Sequence, residues 1–472
     1  GAHWAMKYVS IGAAVFLLSI SFFSWGYLAA EYQAFPGPAI QPIQEDIESF
    51  AAGNGHSERS VKDKLIHDAG IQPKRMLEEQ ERDPDREYES LPINGLSDDR
   101  SSPLLYVKDK EAFAQGYILI WGAFDLKENM YAAILLDSDG DIIHTWMPNQ
   151  DAFRHKIDEH NADKGEEEEK LEYNDPDNLP QGIALFSDGS LILNDSDPGN
   201  GMQKLDFCSQ PSWVKLGRYS HRITKTDNDS SIWAIDGDNA GVLRKIDAEN
   251  GKTLRTITLA EIIKENPHVD ILSLRYDDMD KTWLKDRWHI NDVHPLPAEY
   301  ADAFPDFDAG DLLLSLRSQN TLMVVDQDSL HIKWWKMGPF SRQHDPDWQP
   351  EGKISVYDNQ TRFQDLHSRK DPKFSRILSF DFRDKKLQTL YNGKKDNFYS
   401  SIRGNHQLLP NGSMLITSPK QGRVLLVNQD GETVFEFFNR YDDEQALLVS
   451  EAVWVPEDFF DFELKDKECS SS

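Results

Sequence analysis

The feature that most constrains the fold is a pair of hairpin patterns that alternate along the chain. The first pattern is an apolar strand, a turn rich in Asp, Asn and Gly, and a second strand, as in AAILLDSDGDIIHTW from Ala132 to Trp146. Tight turns between antiparallel strands favour residues that tolerate positive φ, which explains these turn residues. Further copies begin at Met202, Val242, Leu322, Ile377 and Val424.

The second pattern precedes the first and consists of a polar residue, a strand, a turn and an aliphatic strand. Its copies begin at Gly116, Gln181, Ser220, Trp288, His344 and Gly404, and the Trp288 copy carries an insertion in its turn. Two hairpins make one four-stranded antiparallel unit, and six units about 40–65 residues apart predict an all-β, six-bladed β-propeller. A stacked pair of β-sandwiches is the alternative, but it does not require such regular alternation.

The net charge limits the possible partners. The chain of 472 residues has 51 Lys and Arg against 81 Asp and Glu, which gives a formal charge of −30. This acidity argues against nucleic acid and against anionic lipid surfaces, because both need a basic footprint. The two cysteines, Cys208 and Cys469, are too few for a disulfide framework or a Cys-rich metal cluster.

An uncharged stretch near the amino end predicts a membrane anchor. Residues 8–30 are apolar and long enough to span the bilayer as a helix. Lys7 precedes the stretch and Glu31 follows it, so the positive-inside rule places the rest of the chain outside the cytoplasm. We therefore expect a single-pass protein of the bacterial inner membrane with its bulk in the periplasm. A cleaved signal peptide is the competing interpretation.

Composition divides the chain into five predicted segments. The acidic linker lacks a sustained apolar period, so it is a candidate for docking an envelope protein partner. The segments are 1–7, a cloning remnant and cytoplasmic start; 8–30, the transmembrane anchor; 31–103, the acidic linker; 104–460, the propeller; and 461–472, a polar tail.

Four histidines occupy one position of the repeat, at or next to the start of the first strand. They are His221, His289, His344 and His406. The innermost strands of a propeller line its central channel, so these four side chains should converge near one end of it. A single histidine is more often satisfied in a core or a turn, but four at equivalent positions favour the channel.

Arginines lie close to these histidines in the sequence. Arg317, Arg362 and Arg376 occur near strand ends. Guanidinium groups match the oxygens of sulfate or phosphate, so a small oxyanion is the expected ligand class. The alternative is that the arginines pair with the abundant carboxylates.

The strings WHIND, SLRSQ, QHDPDW, YDNQTR, SRILSFD and GNHQLLPNGSMLI occur in this order. With them, the chain resembles the bacterial arylsulfotransferase (ASST) family from Gly116 to Asn439. The resemblance implies a periplasmic propeller that moves a sulfuryl group from an aryl sulfate to a phenol, with neither a nucleotide donor nor a cofactor. It also implies a transiently sulfated histidine, and hence a two-step transfer.

The resemblance implies roles for particular residues. The catalytic set is His406, His344, His289 and Arg362, with His406 as the nucleophile. If His406 is not equivalent to the family's nucleophile, either His221 or no residue takes that role. The remaining substrate-binding candidates are His221, Asn291, Arg317, Asn359 and Arg376.

Two other functions stay open at this point. Histidines around a propeller axis could hold a transition metal, although neighbouring arginines would oppose a cation. The protein could also be a non-catalytic propeller subunit, a ligand-binding platform of a membrane-anchored envelope complex, because fold does not dictate function.

Overall fold

The computed structural model describes residues 86–469 apart from short internal gaps. The gaps are 99, 111–114, 128, 166–167, 174–180, 195–199, 237–240, 274–275, 278–281, 284–287, 362–373 and 444. The predicted anchor at 8–30 and most of the predicted linker lie outside the described residues. Within the described part, no helix is both long and apolar enough to cross a membrane.

The strands follow one another in the order that the alternating hairpins predict. The chain enters with β1 (Glu89–Ser90) and β2 (Leu104–Val107). Blade 1 receives β3 (Gly116–Ala123), β4 (Tyr131–Leu136) and β5 (Ile142–Trp146), and blade 2 receives β6 (Ile183–Leu185), β7 (Leu191–Asn194), β8 (Gly201–Leu205) and β9 (Pro211–Leu216). Blade 3 contains β10 (Tyr219–Lys225), β11 (Ser231–Asp236), β12 (Val242–Asp247) and β13 (Thr253–Thr258).

The second half continues in the same way after a short hairpin of β14 (Tyr276–Asp277) and β15 (Thr282–Trp283). Blade 4 contains β16 (Ile290–Pro295), β17 (Leu312–Leu316), β18 (Thr321–Val325) and β19 (Ile332–Met337), and blade 5 contains β20 (His344–Gln349), β21 (Lys353–Asp358), β22 (Arg376–Asp381) and β23 (Leu387–Asn392). Blade 6 contains β24 (Asn405–Leu408), β25 (Met414–Ser418), β26 (Arg423–Val427) and β27 (Thr433–Phe438), and β28 (Val449–Pro456) ends the series. In the part of the chain that the structure describes, two α-helices connect strands, α1 (Gln150–Ala162) after β5 and α2 (Leu259–Glu265) after β13.

The prediction of an all-β, six-bladed propeller is confirmed. In the part of the chain that the structure describes, six antiparallel sheets follow the blade order, and the innermost strands of neighbouring blades contact one another from β6 to β28. Each turn has a local cause: between β4 and β5, the carboxylate of Asp137 accepts hydrogen bonds from the backbone N–H groups of Asp139 and Asp141, both at 2.9 Å. Gly140 completes this turn with a φ of 84°.

Blade 1 departs from the sequence interpretation in its innermost strand. We expected the segment from Gly116 to open the first unit, but β3 is the second strand of its blade. The innermost strand is β28, which pairs antiparallel with β3, Val453 lying opposite Leu119. The last strand of the chain thus closes the ring.

Both ends of the described chain pack against the propeller. Residues 86–103 belong to the predicted linker, yet Leu91 is buried in the core, and Arg86 pairs with Asp396 and Glu436 at 3.1 and 2.8 Å. Here β2 extends blade 6 by pairing with β27, which covers an otherwise exposed strand edge.

The predicted polar tail is tied down as well. Cys208 in blade 2 forms a disulfide with Cys469, and the ring of Phe462 lies 5.3 Å from that of Phe207. The disulfide and this aromatic contact attach the tail to blade 2.

Candidate active site in the channel

The backbone of four neighbouring innermost strands shares an unusual conformation. His221, His289, Asp345 and Arg403 all have left-handed φ values, between 45° and 63°. Such values are uncommon for residues other than glycine, and they concentrate at functional sites. The register of β10, β16 and β20 also shifts close to these residues, as in a β-bulge, and bulges re-aim side chains.

These strands line a cavity of about 390 Å³ that is partly open to solvent, which we call the channel cavity. Its wall comes from the innermost strands of five blades, together with Gln181 just before the innermost strand of blade 2. The lining residues are Gln181, His221, Arg222, Asn291, Asp292, His344, Asp345, Arg403, Gly404, Asn405, Ser450 and Glu451. Gly404 is required by space, because a Cβ at this position would lie 2.5 Å from the ring of Tyr357.

His221 lines the cavity. The ring stands edge-to-face against His289, with centroids 4.9 Å apart, and the backbone N–H of His221 donates to the side chain of Gln181. Among the described residues, no hydrogen bond engages the ring nitrogens of His221. Burial, followed by the neighbouring charges of His289 and His344, holds the pKa of His221 well below its usual value, so the imidazole is neutral.

His344 is buried and both of its ring nitrogens are engaged. The Asn359 amide nitrogen donates to the backbone carbonyls of Ser400 and Arg403 at 2.9 and 2.7 Å, which turns its oxygen towards His344. Nδ1 of His344 donates to that oxygen at 2.8 Å, and Nε2 accepts from the backbone N–H of Arg403 at 3.1 Å. Burial lowers the pKa of His344 to about 3, so this histidine is a fixed, neutral link between blades 5 and 6.

His406 lies behind the cavity wall and does not line the cavity. Nδ1 donates to the Asp345 carboxylate at 2.8 Å, and Nε2 accepts from the Ser355 hydroxyl at 2.6 Å. Burial lowers the pKa of His406 to about 4. The order Ser355, His406, Asp345 is that of a hydrolase triad, but Ser355 is fully buried and does not line the cavity, so a substrate has no access to it.

The floor of the cavity holds one guanidinium among four carboxylates. Arg222 contacts Asp345 directly and lies 3.1 Å from Asp347, whereas its nitrogens are 3.8 Å from Asp292 and 3.9 Å from Glu451. Arg222 thus donates a hydrogen bond to Asp347 and forms an ion pair with Asp345, and both of these carboxylates belong to β20. Asp292 and Glu451 lie beyond hydrogen-bond reach of Arg222.

The pKa values of these carboxyl groups separate accordingly. Burial opposes ionisation of Asp347, but the charge of Arg222 and the hydrogen bond from His294 prevail and hold its pKa below its usual value. Burial raises the pKa of Asp292 to about 6 and that of Glu451 to about 7, because the attraction of Arg222 only partly offsets it. The floor therefore contains a carboxylate that stays ionised, Asp347, and two groups that titrate near neutral pH, Asp292 and Glu451.

Among the described residues, two acidic clusters place potential metal-ligand atoms close together. In each cluster, a positively charged side chain of the protein already contacts the carboxylates. Donor atoms of Asp345, Asp347 and His406 lie within 4.8 Å of one another, and Arg222 contacts both carboxylates. The second cluster comprises Asp308, Asp311 and Asp326, and Lys333 pairs with all three. The donor sets are thus satisfied by side-chain cations, and we assign no metal ion to either.

The remaining predicted site residues have different surroundings. Asn291 lines the cavity; its amide nitrogen donates to Gln343 O at 2.8 Å, and no donor of the described chain reaches its oxygen. Arg317 begins a short 3₁₀ turn beside His289, and its charge contributes to the lowered pKa of His221. Arg376 donates to Asp358 at 2.7 Å and does not line the cavity, as the carboxylate-pairing alternative foresaw. Arg362 lies outside the described residues.

Sequence reasoning missed the residues of the cavity floor. Arg222 and Asp345 directly follow predicted histidines, and Asp292 lies three residues after another, so their position in the repeat was a usable signal. Glu451 offered no such signal, because β28 belongs to no recognisable hairpin copy.

Comparisons with known proteins agree with the sequence resemblance. A family model described as arylsulfotransferase (ASST) matches residues 183–440, more than half of the chain. No curated protein matches at a significant level.

Similar solved structures are distant. A Bacteroides caccae protein of unknown function is 9% identical, with 72% of this chain and 99% of that chain covered and a TM-score of 0.42. The corresponding values for Kuenenia stuttgartiensis hydrazine synthase are 11%, 72%, 80% and 0.40. For a selenomethionine-substituted virginiamycin B lyase from Staphylococcus aureus they are 10%, 54%, 69% and 0.33. Scores this low carry no argument about activity.

Proposed function

The chain belongs to the arylsulfotransferase (ASST) family, and on this basis we propose that it moves a sulfuryl group from an aryl sulfate to a phenol through a sulfated histidine. The observation that carries the proposal is a neutral histidine, His221, which lines the channel cavity and whose ring nitrogens take part in no hydrogen bond of the described chain. A neutral imidazole is the nucleophilic form of this side chain.

Two of the other channel histidines, His344 and His406, are better suited to position neighbouring residues than to attack sulfur. Both ring nitrogens of His344 and of His406 are engaged inside the protein, so attack by either would first require a hydrogen bond to break. We therefore assign the role of nucleophile to His221, which is the alternative to His406 predicted from the sequence. His344 and His406 become positioning residues for Arg403 and Asp345.

Positive groups around His221 favour an anionic sulfuryl group. The charges of Arg403 and Arg317 both lower the pKa of His221, which places two cations near its ring. The guanidinium of Arg403 lines the cavity and donates to Ser450 Oγ at 3.2 Å. Sulfuryl transfer changes the total charge on the three oxygens little, so fixed cations and positioning would provide most of the rate enhancement.

The test is a transfer assay with an aryl sulfate donor and a phenolic acceptor, using the full chain. We expect His221→Ala to abolish transfer. We also expect the variant to lack the sulfated peptide that mass spectrometry detects in the wild type after exposure to the donor. His155→Ala, on the exposed face of α1, is the matched control and should leave both unchanged. A sulfated His406 peptide would instead identify His406 as the nucleophile. A folded protein that turns over no aryl sulfate would favour the non-catalytic binding platform.

We also propose that the protein works outside the cytoplasm, anchored by residues 8–30. The disulfide between Cys208 and Cys469 supports this location, because disulfides persist in oxidising compartments. Protease added to spheroplasts should degrade the propeller while cytoplasmic markers survive. Protection of the chain under these conditions would contradict the proposed location.

A further inference from the structure

The floor of the channel cavity has an unbalanced set of charges. Four carboxylates, Asp292, Asp345, Asp347 and Glu451, surround the single guanidinium of Arg222, and all four are buried. Full ionisation would leave an excess of negative charge in a low-dielectric site, which is costly. A bound proton is the simplest compensation.

The hydrogen-bond pattern identifies where the proton resides. Asp345 is served by Arg222 and by both the backbone N–H and the ring of His406, while Asp347 is served by Arg222 and by His294 at 3.0 Å. Both of these groups are therefore stabilised as carboxylates. Asp292 and Glu451 are stabilised less, because each lies beyond hydrogen-bond reach of Arg222 and, within the described chain, accepts only a backbone N–H, from Val293 and Ile183 respectively. No hydrogen bond from the described chain reaches Oδ1 of Asp292.

Glu451 has the surroundings of a proton-exchanging group. The groups that face it are Arg222 from β10, Asp292 from β16, Asp347 from β20 and the backbone N–H of Ile183 from β6. The carboxylates disfavour its ionised form, and Arg222 with the N–H favours it, so neither state is locked. Consistently, its pKa is about 7, close to the working range of a general acid and base.

We propose that Glu451 is the proton donor and acceptor for the phenol oxygen in the sulfuryl transfer, with Asp292 as the neighbouring group that keeps it protonated. Glu451 lines the same cavity as His221, so both reach one bound aryl sulfate. The inference rests on the proposed function and extends it by assigning the proton transfer, which His344 and His406 do not provide because both of their ring nitrogens are engaged.

The two half-reactions balance with these groups. In the first, a ring nitrogen of His221 attacks sulfur, the S–O bond to the aryl group breaks, and the leaving oxygen takes the proton of the Glu451 carboxyl group to become a phenol. In the second, Glu451 accepts the proton of the acceptor phenol while its oxygen attacks sulfur. The N–S bond then breaks and its electron pair returns to the imidazole.

The experiment compares two donors that differ in leaving-group quality, with full-length Glu451→Gln. In a two-step transfer, kcat/KM for the donor reports the first half-reaction alone. Phenyl sulfate has a poor leaving group that needs a proton, and 4-nitrophenyl sulfate has a good one that does not. We expect Glu451→Gln to lower kcat/KM by about 10²- to 10³-fold with phenyl sulfate and by less than about 10-fold with 4-nitrophenyl sulfate.

The matched control is Glu457→Gln, an exposed carboxylate just beyond the end of the same strand, which should change neither value. Equal losses with both donors overturn the assignment, since they indicate a structural role. If Glu451→Gln does not fold, Glu451→Asp is the second variant, because it keeps a carboxyl group. The ratio of kcat/KM between the two donors should then remain that of the wild type, and a selective loss of kcat/KM with 4-nitrophenyl sulfate overturns the proposal.

Infrared difference spectroscopy separates this inference from the proposed function. A protonated-carboxyl band should be present in the wild type at about pH 6 and missing from Glu451→Gln. Absence of the band overturns the inference even when transfer occurs. A wild type that shows the band but turns over no aryl sulfate refutes the proposed function, and the catalytic role of Glu451 with it.

Discussion

Replacement of His406 by alanine tests whether this histidine is a nucleophile or a positioning residue. The substitution removes two buried hydrogen bonds, to Asp345 and to Ser355, and leaves a void where the imidazole was. The Asp345 carboxylate keeps Arg222 and the backbone N–H of residue 406, and Ser355 keeps the donated bond of Gln349 at 2.8 Å. Because both groups keep other partners, the loss of stability is limited.

The expected loss follows from these contacts. Two net hydrogen bonds contribute about 1 kcal/mol each, and the void adds a similar amount, so the free energy of unfolding should fall by about 2–4 kcal/mol. With a urea m-value of about 3 kcal/mol/M, the unfolding midpoint should fall by about 1 M. His221→Ala is the comparison, because no hydrogen bond of the described chain engages the His221 ring, and its midpoint should change by less than about 0.3 M.

The assay combines urea unfolding, followed by tryptophan fluorescence, with detection of the sulfated peptide. His406→Ala should lose stability and still yield a sulfated His221 peptide. An unchanged midpoint together with loss of every sulfated peptide would refute the reasoning and restore His406 as the nucleophile.

Three further perturbations have defined outcomes. The pKa of Glu451 rises from 4.5 to about 7 on folding, so its stabilising contribution is present below pH 4.5 and lost as pH rises through 7. Relative to the wild type, the unfolding free energy of Glu451→Gln should therefore increase by about 3 kcal/mol between about pH 4 and pH 8. Urea titration at the two pH values measures this difference. Asn359→Asp cannot donate to the two carbonyls that the amide now serves and places a negative charge beside His344; NMR titration should show a higher His344 pKa, and an unchanged value would contradict the assigned hydrogen bonds. Cys208→Ser opens a very long disulfide-closed loop and should cost up to about 5 kcal/mol, with a reductant lowering the Tm of the wild type and leaving that of the variant unchanged.

The propeller could be predicted from the sequence because each hairpin carries its own local signal. Turn residues such as Gly140 and Asp137 recur with the repeat, and strand alternation follows from them. The identity of the innermost strand of blade 1 could not be predicted in this way. Its partner β3 lies at the other end of the chain, and pairing between such distant segments leaves no local pattern.

The site was predictable in position but not in composition. The innermost strands do carry the channel histidines, yet the floor combines one arginine with carboxylates from three other blades: Arg222, Asp292, Asp345, Asp347 and Glu451. No single residue type recurs at one position of the repeat to mark the floor, because its residues complement one another's charge. Whether an arginine serves the site or a carboxylate also depends on neighbours that only the fold supplies, as the pairing of Arg376 with Asp358 illustrates.

The placement of β28 has a consequence for biosynthesis. Every other innermost strand is followed by the remaining strands of its own blade, whereas β28 follows all of blade 6 and must find a blade 1 that was translated long before. A chain interrupted before Val449 would possess the histidines and arginines of the channel but not Glu451 or the strand that closes the ring. Completion of the active site is in this way coupled to the synthesis of β28, and chains terminated before this strand would have an open ring and no activity.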